Sequence, residues 1–278
     1  MNGTWSIPSD AKCLQVNGYP IAYRDAGKGV PLVLVHGSLT DYRVWQSNAD
    51  AFSAKYRVIA PSLRHYYPEP WDGTGGSFSV QQHAEDLAIF AKTLNLGKVH
   101  LLGWSRGGSV VVEVAKHHPE IVRTLILEDG GIEMPVEETP ESAAAVAFTA
   151  TLIQTLQSNV RRGNLPLAAS KFVDALNGPG YWSKLTDVRR NLILDNIYTA
   201  LADTNRPVTT CDDVKNFDFP LLLLTGEKSP KKYELFYNEM RKCREFPRTI
   251  VIPNAGHSMH RDNPDAFNSA VLDFLKRH

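Results

Sequence analysis

Apolar positions alternate with polar ones, or run together in short blocks, through the first half of the chain. Residues 13–24 read as two short strands around Asn17-Gly18, a pair suited to a tight hairpin turn. The run Leu32-Val33-Leu34-Val35 is apolar on both faces and bounded by Pro31 and His36-Gly37, the mark of a buried central strand. Short strands follow at 57–60, 99–102 and 124–127. Between them the period changes. Ala84, Leu87, Ala88, Ala91 and Leu94 line one face of a helix over 81–94, and small and β-branched residues fill a second over 107–117, ended by Pro119. Strand and helix in alternation predict a mostly parallel sheet flanked by helices.

After Gly131 the alternation stops. Residues 132–210 carry helical patterns at 142–160, 165–176 and 187–202, broken by Gly/Pro segments, and no convincing core strand. Strand and helix signals return at 221–225, 231–243, 249–252 and 265–276. The expected organisation is one α/β core, 1–131 plus 211–278, with a helical cap inserted at 132–210.

One segment carries strong chemical information. Gly103-Trp104-Ser105-Arg106-Gly107 is a G-x-S-x-G sequence between an apolar strand and a small-residue helix. A serine there sits on a sharp, strained turn that small neighbours make room for. A nucleophilic serine needs a base, and His257 follows the last strand beside Gly256. A loop there can reach the crevice at the carboxyl ends of the strands. His260 is the nearby competitor. An oxyanion needs backbone donors. Arg106, after the serine, and Ser38, in the loop after the 32–35 strand, are the expected pair.

With His36-Gly37-Ser38, Trp45, Gly103-Trp104-Ser105-Arg106-Gly107-Gly108 and Gly256-His257 in place, the chain resembles the α/β-hydrolase superfamily of serine hydrolases. The resemblance covers both core segments and implies the α/β-hydrolase fold with a helical cap. It implies acyl transfer to water through a Ser-His-acid triad. In its commonest form the acid stands in a Gly-x-x-Asp pattern, but the matching stretch here, Gly226-Glu227-Lys228-Ser229, offers serine. Some members carry the acid one core strand earlier, which points to Asp129. Glu227 and Glu128 are alternatives. Since successive strand residues face opposite sides, Glu128 and Asp129 cannot serve equally.

The substrate is expected to have an apolar portion, met by Trp104, Trp45, Phe148, Tyr181 and Trp182. Arg64 is a candidate contact for a carboxylate. A C–C bond hydrolase, a lactonase and a receptor with a vestigial triad are the competing readings.

Composition narrows the field. Thirty basic and thirty acidic side chains leave no net charge, and no basic tract or zinc-finger spacing favours nucleic acid. No P-loop or dinucleotide fingerprint implies a cofactor, and no histidine–carboxylate cluster implies a metal. No apolar run approaches the length of a membrane span. Cys13, Cys211 and Cys243 form no close pair, so a disulfide is not expected and a reducing, cytoplasmic setting is. Composition leaves a homodimer open.

Overall fold

The computed structural model describes residues 5–278 apart from 205 and 247. Eight strands form one sheet: β1 Lys12–Val16, β2 Tyr19–Ala26, β3 Pro31–Val35, β4 Arg57–Pro61, β5 Val99–Trp104, β6 Val122–Glu128, β7 Leu221–Gly226 and β8 Ile250–Ile252. Their spatial order is β1-β2-β4-β3-β5-β6-β7-β8. The β1–β2 and β2–β4 pairs are antiparallel, and the sheet is parallel from β4 to β8.

The apolar runs explain the two layers. Val33, Val35, Leu101, Leu125, Leu127, Leu221 and Leu223 join the core on one face. Leu32, Leu34, Leu102, Ile126, Leu222 and Leu224 join the core on the other. This is the period-two alternation of strands covered on both sides. Helices α1 (Gln46–Ser53), α2 (Val80–Thr93) and α3 (Arg106–His117) follow β3, β4 and β5. α2 starts on Ser79, whose side chain accepts from the Gln82 N–H, and buries Ala84, Leu87, Ala88 and Ala91 as its periodicity predicts.

Between β6 and β7 lies the helical insertion: α4 (Pro140–Arg161), α5 (Leu165–Asn177), α6 (Tyr181–Lys184), α7 (Asp187–Asp195) and α8 (Cys211–Lys215). Leu156, Val160, Ala168, Ala169, Ile193 and Ile197 give it a core of its own. Thr139 and Ser142 cap α4 reciprocally, with Pro140 opening its first turn. The pattern over 187–202 predicts one helix, but α7 stops at Asp195 and a 3₁₀ turn takes Ile197–Leu201. Asn196 explains the break. Its amide donates to Asp41 and to the Leu192 carbonyl, and its oxygen accepts from the Tyr67 N–H.

Helix α9 (Lys232–Cys243) precedes β8, and α10 (Met259–Asp262) and α11 (Pro264–Leu275) close the chain. The cysteine expectation is corrected. Cys211 on α8 and Cys243 on α9 form a disulfide, leaving Cys13 free. The two are 32 residues apart, and packing of α8 against α9 brings them together, which linear spacing conceals. The argument for a reducing compartment loses that support. No described helix is long and apolar enough to cross a membrane.

Candidate active site

Ser105 stands between β5 and α3 with φ +52° and ψ −122°, the left-handed backbone of a tight strand-to-helix turn. Its N–H donates to the Glu128 carbonyl, and its carbonyl accepts from Gly108 and Gly131 N–H. Close approach decides the glycines here. A Cβ at Gly107 would lie 2.3 Å from the Val35 carbonyl oxygen. One at Gly37 would lie 3.0 Å from Ser105 Cβ, so the loop after β3 rests directly on the serine.

Arg106 is the first residue of α3, where a backbone N–H has no intrahelical acceptor. Ser38 lines the same cavities as Ser105. The Arg106 side chain has a separate task. Its guanidinium is buried, donates to Asp203 Oδ1 at 2.9 Å and reaches His83 Nδ1 at 2.9 Å. Asp203 also accepts from Ser38 Oγ (3.2 Å) and from Arg206 (3.3 Å). One carboxylate at the end of the insertion therefore ties the Ser38 loop to the helix after Ser105. His36 braces the same loop. Its Nδ1 donates to the Gly37 carbonyl and its Nε2 accepts from the Leu63 N–H. Burial pushes His36 down to about 3, so it stays neutral.

His257 is buried in the loop after β8, and its Nδ1 lies 3.0 Å from Asp129 Oδ2. Asp129 follows the end of β6 with φ +40° and is held from two further sides. Thr225 Oγ1 donates to Oδ1 at 2.7 Å and Ser229 Oγ to Oδ2 at 2.6 Å. The competing acids are engaged elsewhere. Glu128 points into the opposite layer, where Oε1 meets His260 Nδ1 at 2.8 Å. Burial pushes Glu128 well up and His260 well down, so both favour their neutral forms. Glu227 accepts from the Asn254 N–H.

Tyr233 is a residue that sequence reasoning missed. Its ring stacks on the His257 imidazole, centroids 4.9 Å apart and planes 11° from parallel. Its hydroxyl lies 3.5 Å from His257 Nε2, and it lines the same cavity as Ser105. Burial raises its pKa, so it stays protonated. A tyrosine one residue into a helix carries no motif, and only the folded chain reveals its place.

Two cavities meet at Ser105. A small one is lined by Ser38, Trp104, Val173, Ile193, His257 and Arg261. A larger one of about 380 Å³ is lined by Leu152, Ile153, Phe172, Leu176, Arg206, Lys232 and Tyr233. A wider cleft of about 670 Å³ along α4 does not reach Ser105. Of the expected contacts, Trp104 lines the small cavity, and its Nε1 donates to the His257 carbonyl at 2.8 Å. Trp45 is fully buried behind it, packed on Trp104 and His260, because it belongs to the core. Phe148 lines a neighbouring cavity with Lys228, Pro230 and Lys232. Tyr181 bonds Asp262 of α10, and Trp182 packs in the insertion's own core. Arg64 pairs with Asp86 at 2.8 Å and lies over the Tyr19 ring, away from Ser105. Leu152, Ile153 and Leu176 from α4 and α5 line the larger cavity beside the aromatic Phe172 and Tyr233. Among the described residues, no group of three His, Cys, Asp or Glu is arranged to hold a metal ion.

An elbow serine, a histidine–carboxylate pair and this sheet order point to one family. The model of the alpha/beta hydrolase family matches residues 32–270. The chain belongs to that family. It is 25% identical to (E)-2-((N-methylformamido)methylene)succinate hydrolase of Acinetobacter baylyi, over 96% of this chain and 98% of that protein. It is 30% identical to pimeloyl-[acyl-carrier protein] methyl ester esterase of Vibrio atlanticus, over 91% and 96%. Its fold is similar to that of a thermophilic esterase from Thermogutta terrifontis, with a TM-score of 0.77 and 24% identity, over 97% and 99% of the two chains.

Proposed function

We propose that this chain is a serine hydrolase that cleaves an ester-type carbonyl substrate with an apolar portion through a covalent Ser105 intermediate. The observation that carries the reading is the His257 Nδ1–Asp129 Oδ2 contact of 3.0 Å in a loop beside an elbow serine. The named activities of the Vibrio and Acinetobacter relatives, an ester esterase and a hydrolase, support it.

The proposed reaction runs in two halves. Ser105 Oγ attacks the carbonyl carbon while His257 Nε2 takes its proton. Asp129, accepting from Nδ1–H, fixes the tautomer that leaves Nε2 free and favours the imidazolium as it forms. The carbonyl oxygen becomes an oxyanion, held by the Arg106 and Ser38 N–H groups. Collapse expels the alcohol, which takes the proton from His257. Water then attacks the acyl carbon while His257 takes its proton, the C–O bond to Ser105 breaks as His257 returns that proton to Ser105 Oγ, and the acid leaves. Leu152, Ile153, Phe172 and Leu176 supply the apolar wall.

The test is turnover of 4-nitrophenyl esters of increasing chain length. The reading expects many cycles per protein molecule, loss of turnover in S105A, and faster turnover of longer acyl chains than of acetate. Release that stops after one equivalent would favour a receptor over an enzyme. Equal or faster rates on very short polar esters would remove the apolar portion from the proposal.

A further inference from the structure

Lys232 opens α9 and lines the larger cavity at Ser105 together with Arg206, Glu133 and Asp203. Its Nζ lies 3.3 Å from Thr149 Oγ1, and 4.9 and 5.9 Å from the ring centroids of Tyr233 and Phe148. Among the described residues, no carboxylate comes within 4.0 Å of this ammonium. Lys232 is half-buried, and a partly desolvated cation with one hydroxyl for a partner gains when an anion joins it. Burial, helped by the like charge of Arg206, pushes Lys232 down to about 8, while Glu133 and Asp129 act in the opposite direction.

Four charged side chains line the cavity, Lys232 and Arg206 against Glu133 and Asp203. Asp203 is already engaged twice, by the buried guanidinium of Arg106 at 2.9 Å and by Arg206 at 3.3 Å. Among the described residues, Lys232 is thus the lining cation that no carboxylate meets within 4.0 Å, on the wall that also holds Ser105. We infer that Lys232, with Arg206 beside it, receives a carboxylate carried by the substrate, and that the natural substrate is a carbonyl compound with a free acid group remote from the scissile bond. This is the role that the sequence analysis gave to Arg64, which Asp86 occupies instead. The inference rests on the serine-hydrolase reading and adds the substrate's charge to it.

Two esters with the same five-carbon acyl chain separate charge from chain length: mono-4-nitrophenyl glutarate and its neutral methyl ester. The expected wild-type preference for the acid, in kcat/KM, is about ten- to a hundredfold, the worth of one charge-assisted hydrogen bond. In K232M that ratio falls to near one. K231M, which removes an exposed neighbour paired with Glu234, keeps the wild-type ratio. Binding of glutarate itself, measured by calorimetry, is expected to weaken about tenfold or more in K232M. A wild-type ratio within about twofold of one, or a K232M ratio equal to wild type, overturns the inference. If folded wild type turns over neither ester, the hydrolase reading fails and glutarate binding decides the anion site alone. Binding lost in K232M supports that site, and binding equal in both proteins, or absent from wild type, overturns it.

Discussion

Ser229 donates its hydroxyl to Asp129 at 2.6 Å. The position where the resemblance leads one to expect the acid thus holds a hydrogen-bond donor to an acid on the neighbouring strand. Thr225 and Ser229 on the β7 side both serve Asp129, and the Gly226 N–H donates to Ser229 Oγ, fixing that hydroxyl in place. The pair predicts an asymmetric mutational response. D129N should fold and lower turnover by about 10³–10⁴, whereas E128Q and E227Q should be far milder. S229A, which removes one of three donors to the carboxylate, should cost about 10- to 100-fold. Steady-state kinetics on one activated ester checks all four. Near-normal turnover in D129N with loss in E227Q would reverse the assignment.

Asp203 predicts a coupled loss of stability and activity. Its removal leaves the Arg106 guanidinium, 1% exposed, without its counter-charge. Breaking such a buried pair costs about 3–5 kcal/mol. Because Ser38 Oγ also bonds Asp203, the loop expected to supply an oxyanion donor loosens with it. D203A should show both a lower midpoint in chemical denaturation and a lower kcat. Unchanged stability would mean that Arg106 finds another partner.

Tyr233 holds the plane of the His257 ring by stacking, and its hydroxyl lies 3.5 Å from His257 Nε2. Y233F keeps the ring and should change turnover by less than about tenfold. Y233A removes the stack and should lower kcat by a further order of magnitude or more, with a smaller effect on KM. The comparison of the two variants on a single ester checks this. Equal losses would assign the effect to the hydroxyl.

Buried neutral histidines predict acid sensitivity. Burial holds His36 down at about 3 and His100 at about 4. Above the ordinary histidine pKa both the folded and unfolded forms are neutral, and these groups add no pH dependence. Below it the unfolded chain binds protons that the folded chain refuses, so stability is lost as pH falls. Each histidine contributes up to about 1.4 kcal/mol per pH unit between roughly 6.5 and its folded value. Denaturant unfolding at pH 7, 6 and 5 measures the slope. H100N should flatten it by one proton, and an unchanged slope would show that His100 titrates freely.

Much of this was legible in the sequence for a physical reason. Strands buried on both faces read as apolar runs such as Leu32–Val35, and the turn at Ser105 demands glycines at fixed offsets. Alternation along β6 also separates Glu128 from Asp129 before any coordinates are known. What stayed hidden depends on contacts between distant segments. The Cys211–Cys243 disulfide spans 32 residues. Tyr233, Lys232 and Asp203 reach the site from α9 and the end of the insertion, and no local pattern marks them. Aromatic side chains suit a pocket wall and a core equally, so the sequence alone does not separate Trp104, which lines the small cavity, from Trp45 and Trp182, which pack in cores.

A nucleophilic Ser105 activated by His257 and Asp129 should react covalently with a fluorophosphonate probe. Peptide mass spectrometry after brief exposure is expected to find a phosphonyl adduct on Ser105 in wild type, none in S105A, and labelling slowed by orders of magnitude in D129N and H257A. Folded wild-type protein that carries no adduct at Ser105, or D129N and H257A proteins labelled as fast as wild type, would contradict it.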